Sequence, residues 1–127
     1  MADQAITNIT WDDDDGTSIS AAVGTAIDAS KTHVITPTGP LENMVILIRN
    51  TEGSTNTVTV KAGAGAALSK GLGDKTFTAI AATTGMIVLP PLESARFLQA
   101  NGTVRIDVEA STTGYIIALQ KPRVTAT

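Results

Sequence analysis

The sequence contains no cysteine and only one histidine, His33, among its 127 residues. Without cysteine the chain has no disulfide framework, no thiolate metal site and no cysteine nucleophile. A single histidine does not supply a zinc site built from several imidazoles, and a serine triad would have to use it from within a short strand. We therefore expect no catalytic residue, no metal ion and no cofactor, and a structural or interface role for His33.

Basic charge and long apolar runs are also scarce. The formal net charge is -3, so the chain lacks the positive field that neutralises phosphates or anionic lipid. The longest apolar run, MVILI at residues 44–48, falls far short of the roughly 20 residues that span a bilayer. The first residues lack a basic region followed by an apolar run, as a signal peptide would have. We expect neither nucleic acid nor a membrane as partner, and synthesis in the cytoplasm without secretory export.

The residues that are abundant favour β-structure. Apolar residues make up 43% of the chain and aromatic residues 3%, so Val, Ile, Leu and Ala must build the core. In residues 57–62 (TVTVKA) and 103–109 (TVRIDVE), apolar and polar side chains alternate. Alternation with a period of two predicts strands with one buried face.

Further short runs complete an all-β pattern of about eight strands. Asn101-Gly102 favours a tight hairpin turn, which would pair residues 95–100 with residues 103–109. The sequence therefore predicts a single-domain antiparallel β-sandwich or a jelly-roll-like barrel. The other predicted strands are residues 33–36, 43–49, 86–89 and 115–120, with weaker ones at 19–23 and 77–80.

The domain organisation follows from these strands and from the composition of the two ends. We assign residues 1–16 to an N-terminal acidic arm, residues 17–121 to the β-sandwich domain and residues 122–127 to a C-terminal tail. Residues 44–48 do not alternate, so the core must cover one face of this strand and a loop or another subunit the other. This strand is the clearest indication of an oligomer.

Three glycine-containing or acidic segments resemble ligand-binding motifs without matching them. The acidic run at residues 12–15 precedes Gly16 as in a calcium loop, but Trp11 and Ala22 then occupy the two end-ligand positions. The GAGAAL segment at residues 63–68 lacks the third glycine of a dinucleotide loop. In residues 71–76, Asp74 would repel a phosphate. We interpret these segments as a solvated turn and two loops.

Six residues are candidates for a capsid or subunit interface, in two groups. Trp11 is a lone large aromatic residue beside the acidic run, where it would either anchor a terminal arm on a partner or pack over the end of the sandwich. Glu93, Arg96 and Phe97 combine an ion-pair candidate with a large apolar side chain, typical both of an interface and of the start of an ordinary strand. The candidates are Trp11, Asp12, Asp13, Glu93, Arg96 and Phe97.

Four segments of the carboxyl half resemble a known class of protein: TVTVKAGA at residues 57–64, GLGD at 71–74, LESARFLQ at 92–99 and NGTVRID at 101–107. Together they are similar to the decoration, or cement, proteins of tailed bacteriophage heads, over roughly residues 57–119. The resemblance implies a non-enzymatic virion protein that binds the capsid exterior, bridges subunits of the major capsid protein and stabilises the shell. It further implies synthesis in the host bacterium and a homo-oligomer, with a trimer favoured.

Two other classes of function remain as alternatives. A small ligand-binding module, for example for carbohydrate, would need an aromatic platform with polar groups that converge on sugar hydroxyls. An enzyme would have to take its acid or base from His33 or from carboxylates that the fold brings together. Because aromatic residues are sparse, the carbohydrate module is a weaker hypothesis than the capsid-binding protein.

Overall fold

The computed structural model describes residues 2–10, 24–63 and 73–121, and this part of the chain is dominated by strands. The only helical elements there are a 3-10 turn at Leu41–Asn43 and a single helical turn, α1, at Ser94–Phe97. No helix in these ranges is long or apolar enough to cross a membrane. The strands are β1 (Asp3–Ile6), β2 (Asn8–Thr10), β3 (Thr25–Ala26), β4 (Thr32–Ile35), β5 (Met44–Asn50), β6 (Asn56–Val60), β7 (Lys75–Ile80), β8 (Met86–Val88), β9 (Val104–Val108) and β10 (Gly114–Gln120).

The strands form two sheets packed face to face, which confirms the all-β sandwich. The first sheet has the order β1-β4-β9-β6-β7, and the second has the order β2-β10-β5-β8, with β3 also paired to β10. Among the described strands, all pairs are antiparallel except β1 with β4 and β2 with β10, which are parallel. The sandwich is therefore mixed, whereas the sequence predicted antiparallel pairing throughout.

Each parallel pair includes one strand, β1 or β2, from the residues that the sequence analysis assigned to the acidic arm. Only Thr7 separates β1 from β2, so the chain passes directly from the first sheet to the second. The Ile6 side chain is buried in the shared core. Strands of three or four residues carry too little alternation to be recognised in a sequence, so the composition alone predicts an arm for this segment.

The core lies between the inward faces of the two sheets and consists mainly of branched aliphatic side chains. In β5, Met44, Ile46 and Ile48 are buried, while Val45 and Leu47 on the opposite face are half-buried. The predicted non-alternating strand thus alternates in burial although both of its faces are apolar. Its outer face is the starting point for the candidate site.

The predicted hairpin at Asn101-Gly102 is absent, and this prediction was wrong. The segment before it turns into α1, because the Glu93 carbonyl accepts the N–H groups of Arg96 (3.1 Å) and Phe97 (2.9 Å). Gly102 does adopt a positive φ of 81°, but its N–H closes a local turn onto the Gln99 carbonyl at 2.9 Å. β9 pairs instead with β4 and β6. The weaker strand predicted at residues 19–23 lies outside the described residues.

Gly114 allows the close approach of β10 to β5 at the beginning of their pairing. It lies opposite Asn50 with φ of 138°, in the region that favours glycine. A Cβ atom at this position would overlap the carbonyl oxygen of Arg49. The side-chain hydrogen of glycine is therefore required here for steric as well as conformational reasons.

We expect Gly114→Ala to reduce the free energy of unfolding by about 3 kcal/mol, because the added methyl group meets the Arg49 carbonyl and the backbone is strained. Gly53→Ala is the matched control, since nothing lies within 4 Å of the Cβ position there. Urea unfolding of both variants measures the difference. Equal midpoints for the two variants would contradict this account of the β5–β10 pair.

Candidate interaction surface

The outer face of the first sheet is polar and internally paired. Arg105 on β9 forms an ion pair with Asp3 on β1 at 2.7 Å, and Lys61 after β6 forms one with Asp74 at 2.6 Å. The hydroxyl groups of Thr59 and Thr76 are hydrogen-bonded across β6 and β7 at 3.0 Å. These groups are suited to contact with water.

The outer face of the second sheet is apolar. The strand register places Leu47 on β5 between Ile117 on β10 and Val88 on the edge strand β8. Further along, Val45 lies opposite Leu119, and Arg49 lies between Tyr115 and Met86. We call this surface the apolar face; it comprises Val45, Leu47, Met86, Val88, Tyr115, Ile117 and Leu119.

Burial divides the apolar face into a covered half and an open half. Ile117 and Leu119 on β10 are nearly buried although they point away from the core. Gly24 lies directly against Ile117, because a Cβ atom at Gly24 would be only 2.7 Å from Ile117 Cγ1. On the other side of β5, the side chains become progressively more exposed toward β8.

The open half of the apolar face consists of Val45, Leu47, Met86 and Val88. Met86 is 50% exposed and Val88 is 58% exposed, and these are the two exposed large hydrophobic residues among those described. Contiguous apolar surface of this kind marks contact sites on soluble proteins, whereas isolated exposed apolar residues do not. The open half is therefore the best candidate for contact with another protein.

A groove of about 340 Å³ adjoins the open half. On one side of it the Glu42 carboxylate accepts hydrogen bonds from the Ser94 N–H (3.0 Å) and hydroxyl (2.8 Å). These bonds hold the pKa of Glu42 below its ordinary value. The groove is lined by Met44, Val45, Val88, Leu89 and Pro91, and by the polar residues Glu42, Asn43 and Lys121.

Three of the six predicted interface residues are described, and they lie together around α1. The Arg96 guanidinium stacks over the Phe97 ring at 4.8 Å, and its Nε donates to the Gly73 carbonyl at 3.0 Å. Phe97 is 5% exposed and belongs to the core. Among the described residues no ion pair joins Glu93 to Arg96, and Glu93 contributes its carbonyl to the turn. The other candidates, Trp11, Asp12 and Asp13, lie outside the described residues.

Met86 and Val88 were missed as interface candidates although they were placed in a predicted strand. Their importance depends on β8 being the last strand of its sheet, which follows only from long-range pairing with β5. One signal was available in the sequence, because residues 76–92 contain no charged side chain. Such a run is unusual for a segment that borders solvent, since exposed edge strands generally carry charges.

Of the two roles that the sequence predicted for His33, structural or interface, the structure shows the structural one. Its side chain is fully buried, its Nε2 accepts a hydrogen bond from the Asp28 N–H at 3.1 Å, and its Nδ1 lies 3.3 Å from the Ile106 carbonyl. Both ring nitrogens are therefore used within the fold. Across the described ranges, no three metal-ligating side chains lie close enough to hold an ion.

The stability of the fold should decrease in mildly acidic solution because of His33. Burial lowers the pKa of His33, against the opposing effects of the Ile106 carbonyl and the charges of Asp28 and Asp107. The unfolded chain therefore binds a proton more readily than the folded one. The stabilisation is complete above the unfolded pKa, about 6.5, and decreases as the pH falls through the lowered folded value.

We expect the free energy of unfolding to fall below pH 6.5 with a slope approaching about 1.4 kcal/mol per pH unit. Urea unfolding between pH 7.5 and 5 measures this dependence. His33→Gln keeps an acceptor but does not titrate, so its unfolding free energy should be nearly constant over the same range. A wild-type protein with equal stability at pH 7.5 and pH 5 would refute the assignment.

Comparison with family models, with curated proteins and with solved structures finds no match to this chain.

Proposed function

We propose that this protein is a non-enzymatic decoration protein that binds the outer surface of a tailed-phage capsid and stabilises it. The observation that supports this function is the open half of the apolar face, which gives a structural protein a contact surface. The class of partner, the major capsid protein, comes from the resemblance of the carboxyl half to decoration proteins. The polar outer face of the first sheet would then remain in contact with solvent on the virion.

The described aromatic residues give little support to a carbohydrate-binding module. Phe97 lies in the core and Phe77 packs against it, so Tyr115 is the one described aromatic residue on the outer face of the second sheet. A single half-buried ring beside aliphatic side chains does not form the platform on which sugars stack. The same aliphatic surface suits a protein partner, which also presents apolar side chains.

Stabilisation of the shell would follow from mass action. A protein that binds the assembled lattice, but not the separated subunits, shifts the equilibrium toward the assembled state. At a free concentration one hundred times the dissociation constant, this contributes about 2.7 kcal/mol per occupied site. Because a shell has many equivalent sites, modest affinity at each one is sufficient, and no catalytic step is required.

The purified protein should co-sediment with expanded capsids of its source phage and saturate at a fixed ratio to the major capsid protein. Leu47→Lys places a charge at the centre of the apolar face and should weaken binding about tenfold or more. Its fold should persist, because the lysine stem covers the same surface while the ammonium group reaches water. Binding isotherms by sedimentation, together with melting temperatures, measure both effects.

Val34→Lys is the matched control, because Val34 is a half-buried aliphatic residue on the outer face of the first sheet. This variant should bind capsids like the wild type. Equal losses in both variants would show that the apolar face is not the contact surface. Failure of the wild-type protein to sediment with any capsid of its source phage, across a range of salt concentrations, would refute the decoration function.

A further inference from the structure

β8 is an edge strand with main-chain groups directed away from its sheet. The Asn50 N–H donates to the Gly85 carbonyl and the Leu89 N–H donates to the Ile46 carbonyl, both at 2.9 Å. Hydrogen-bonded positions alternate along an antiparallel pair, so the N–H and C=O groups of Gly85, Ile87 and Leu89 point toward β5. The N–H and C=O groups of Met86 and Val88 therefore point to the opposite side. Among the described strands, β8 pairs with β5 alone.

Apart from its shortness, this edge has little of the usual protection against pairing with another chain. Natural edge strands are commonly blocked by charged side chains, by proline or by covering segments. Residues 76–92 contain no charge, and the two side chains that flank the open edge, Met86 and Val88, are half or more exposed. Proline follows only after the strand has ended, at Pro90 and Pro91. The edge is thus short, uncharged and apolar.

We propose that a second copy of this chain pairs antiparallel with β8, with Met86 opposite the partner's Val88. In this register the two residues exchange N–H···O=C bonds in both directions, which gives about four bonds per pair of strands. Ile87 then lies on the two-fold axis, opposite the partner's Ile87. No like charges meet, and the exposed side chains of Met86 and Val88 cover each other.

The neighbouring registers are less favourable, which makes the edge complementary to itself. A shift that sets Val88 opposite the partner's Val88 also sets Met86 opposite the partner's Pro90, which has no N–H group. The opposite shift would use Thr84, whose N–H already donates to the Ala82 carbonyl at 2.7 Å. Only the register centred on Ile87 uses all of the open-edge N–H and C=O groups of Met86 and Val88, because in the other two registers one carbonyl on each copy faces a residue that has no free N–H group.

The proposed pairing does not depend on the decoration function, but it has a geometric consequence for that function. A two-fold axis between antiparallel strands is perpendicular to the sheet, so the outer faces of both copies point in the same direction. The two open halves would join into one continuous apolar surface. The pair is a dimer, and it would take the place of the trimer that the resemblance implied.

The contact between the strands is small, which sets the expected strength of the pair. Stable interfaces usually bury about 800 Å² on each partner, more than a three-residue strand provides. The dimer should therefore be reversible and depend on concentration. A covalent trap and a direct measurement of association are the appropriate tests.

Cysteine trapping tests the register, because the chain has no cysteine of its own. Directly opposed residues at hydrogen-bonded positions have Cα atoms about 5.5 Å apart, within the range of a disulfide, whereas positions two residues out of register do not. An equimolar mixture of Met86→Cys and Val88→Cys should therefore form disulfide dimers under mild oxidation faster than either variant alone. Mass spectrometry of the peptides identifies the bond between positions 86 and 88.

Thr76→Cys is the control for non-specific trapping, because Thr76 is an exposed residue on β7, an edge strand of the first sheet. It should form few dimers under the same conditions. Dimer yields no higher in the mixture than in the separate variants, or no higher than in the Thr76→Cys control, would overturn the proposed register.

Sedimentation velocity over a wide concentration range tests the association itself. The wild type should shift from monomer to dimer. Val88→Pro removes an N–H group directed to the open edge and leaves the bonds to β5 in place, so it should weaken the dimer about tenfold or more. Val88→Ala retains that N–H and should weaken the dimer less. A wild-type protein that stays monomeric or forms trimers would refute the pairing, whereas loss of capsid binding with an intact dimer would refute only the decoration function.

Discussion

The pairing of β5 with β10 is the interaction on which the rest of the structure depends. It extends over seven residues of each strand and decides which side chains enter the core and which form the apolar face. A slip of one residue would exchange the two sets, for example Ile48 for Leu47. Buried amides hold both ends, since Asn50 Nδ2 donates to the Ile80 carbonyl and Gln120 Nε2 to the Pro40 carbonyl, each at 3.1 Å. These polar groups fix the register, because a slip would leave them buried without partners.

Local sequence patterns were sufficient to predict the long strands. They were insufficient where long-range contacts determine the local structure. In β6 and β9 the alternation of valine or isoleucine with polar residues predicts both the strand and its buried face. The parallel strands β1 and β2 are too short to show such a pattern. At α1, Phe97 and Leu98 favour a strand locally, but the hydrogen bonds to the Glu93 carbonyl and the burial of Phe97 produce a helical turn. Tertiary packing overrides propensity at that point.

The candidate site, too, was predicted in part from local sequence and depends in part on long-range pairing. The apolar character of both faces of β5 was evident from residues 44–48, and the structure shows that its outer side chains, Val45 and Leu47, are half-buried. The sequence did not indicate that Val88, about 40 residues further along, would lie beside Leu47, because only the register between β5 and β8 establishes this neighbourhood. Phe97 was considered an interface anchor because its size favours that role, yet the same size makes it suitable for a core with few aromatic residues.

An uncharged edge strand and an apolar outer face are each a hazard for a protein that remains alone, because they promote association with other chains. In this chain the two features occur together on one side of one sheet, while the outer face of the other sheet carries ion pairs and threonine hydrogen bonds. The two outer faces thus differ in character, although Val34 lies on the first and Arg49 on the second. The difference is accounted for if one side of the sandwich is covered by protein and the other remains in water. A pair joined through β8 uses the main-chain groups of the edge, whereas a larger partner would contact outward side chains such as Leu47, so the two proposed contacts rest mainly on different groups.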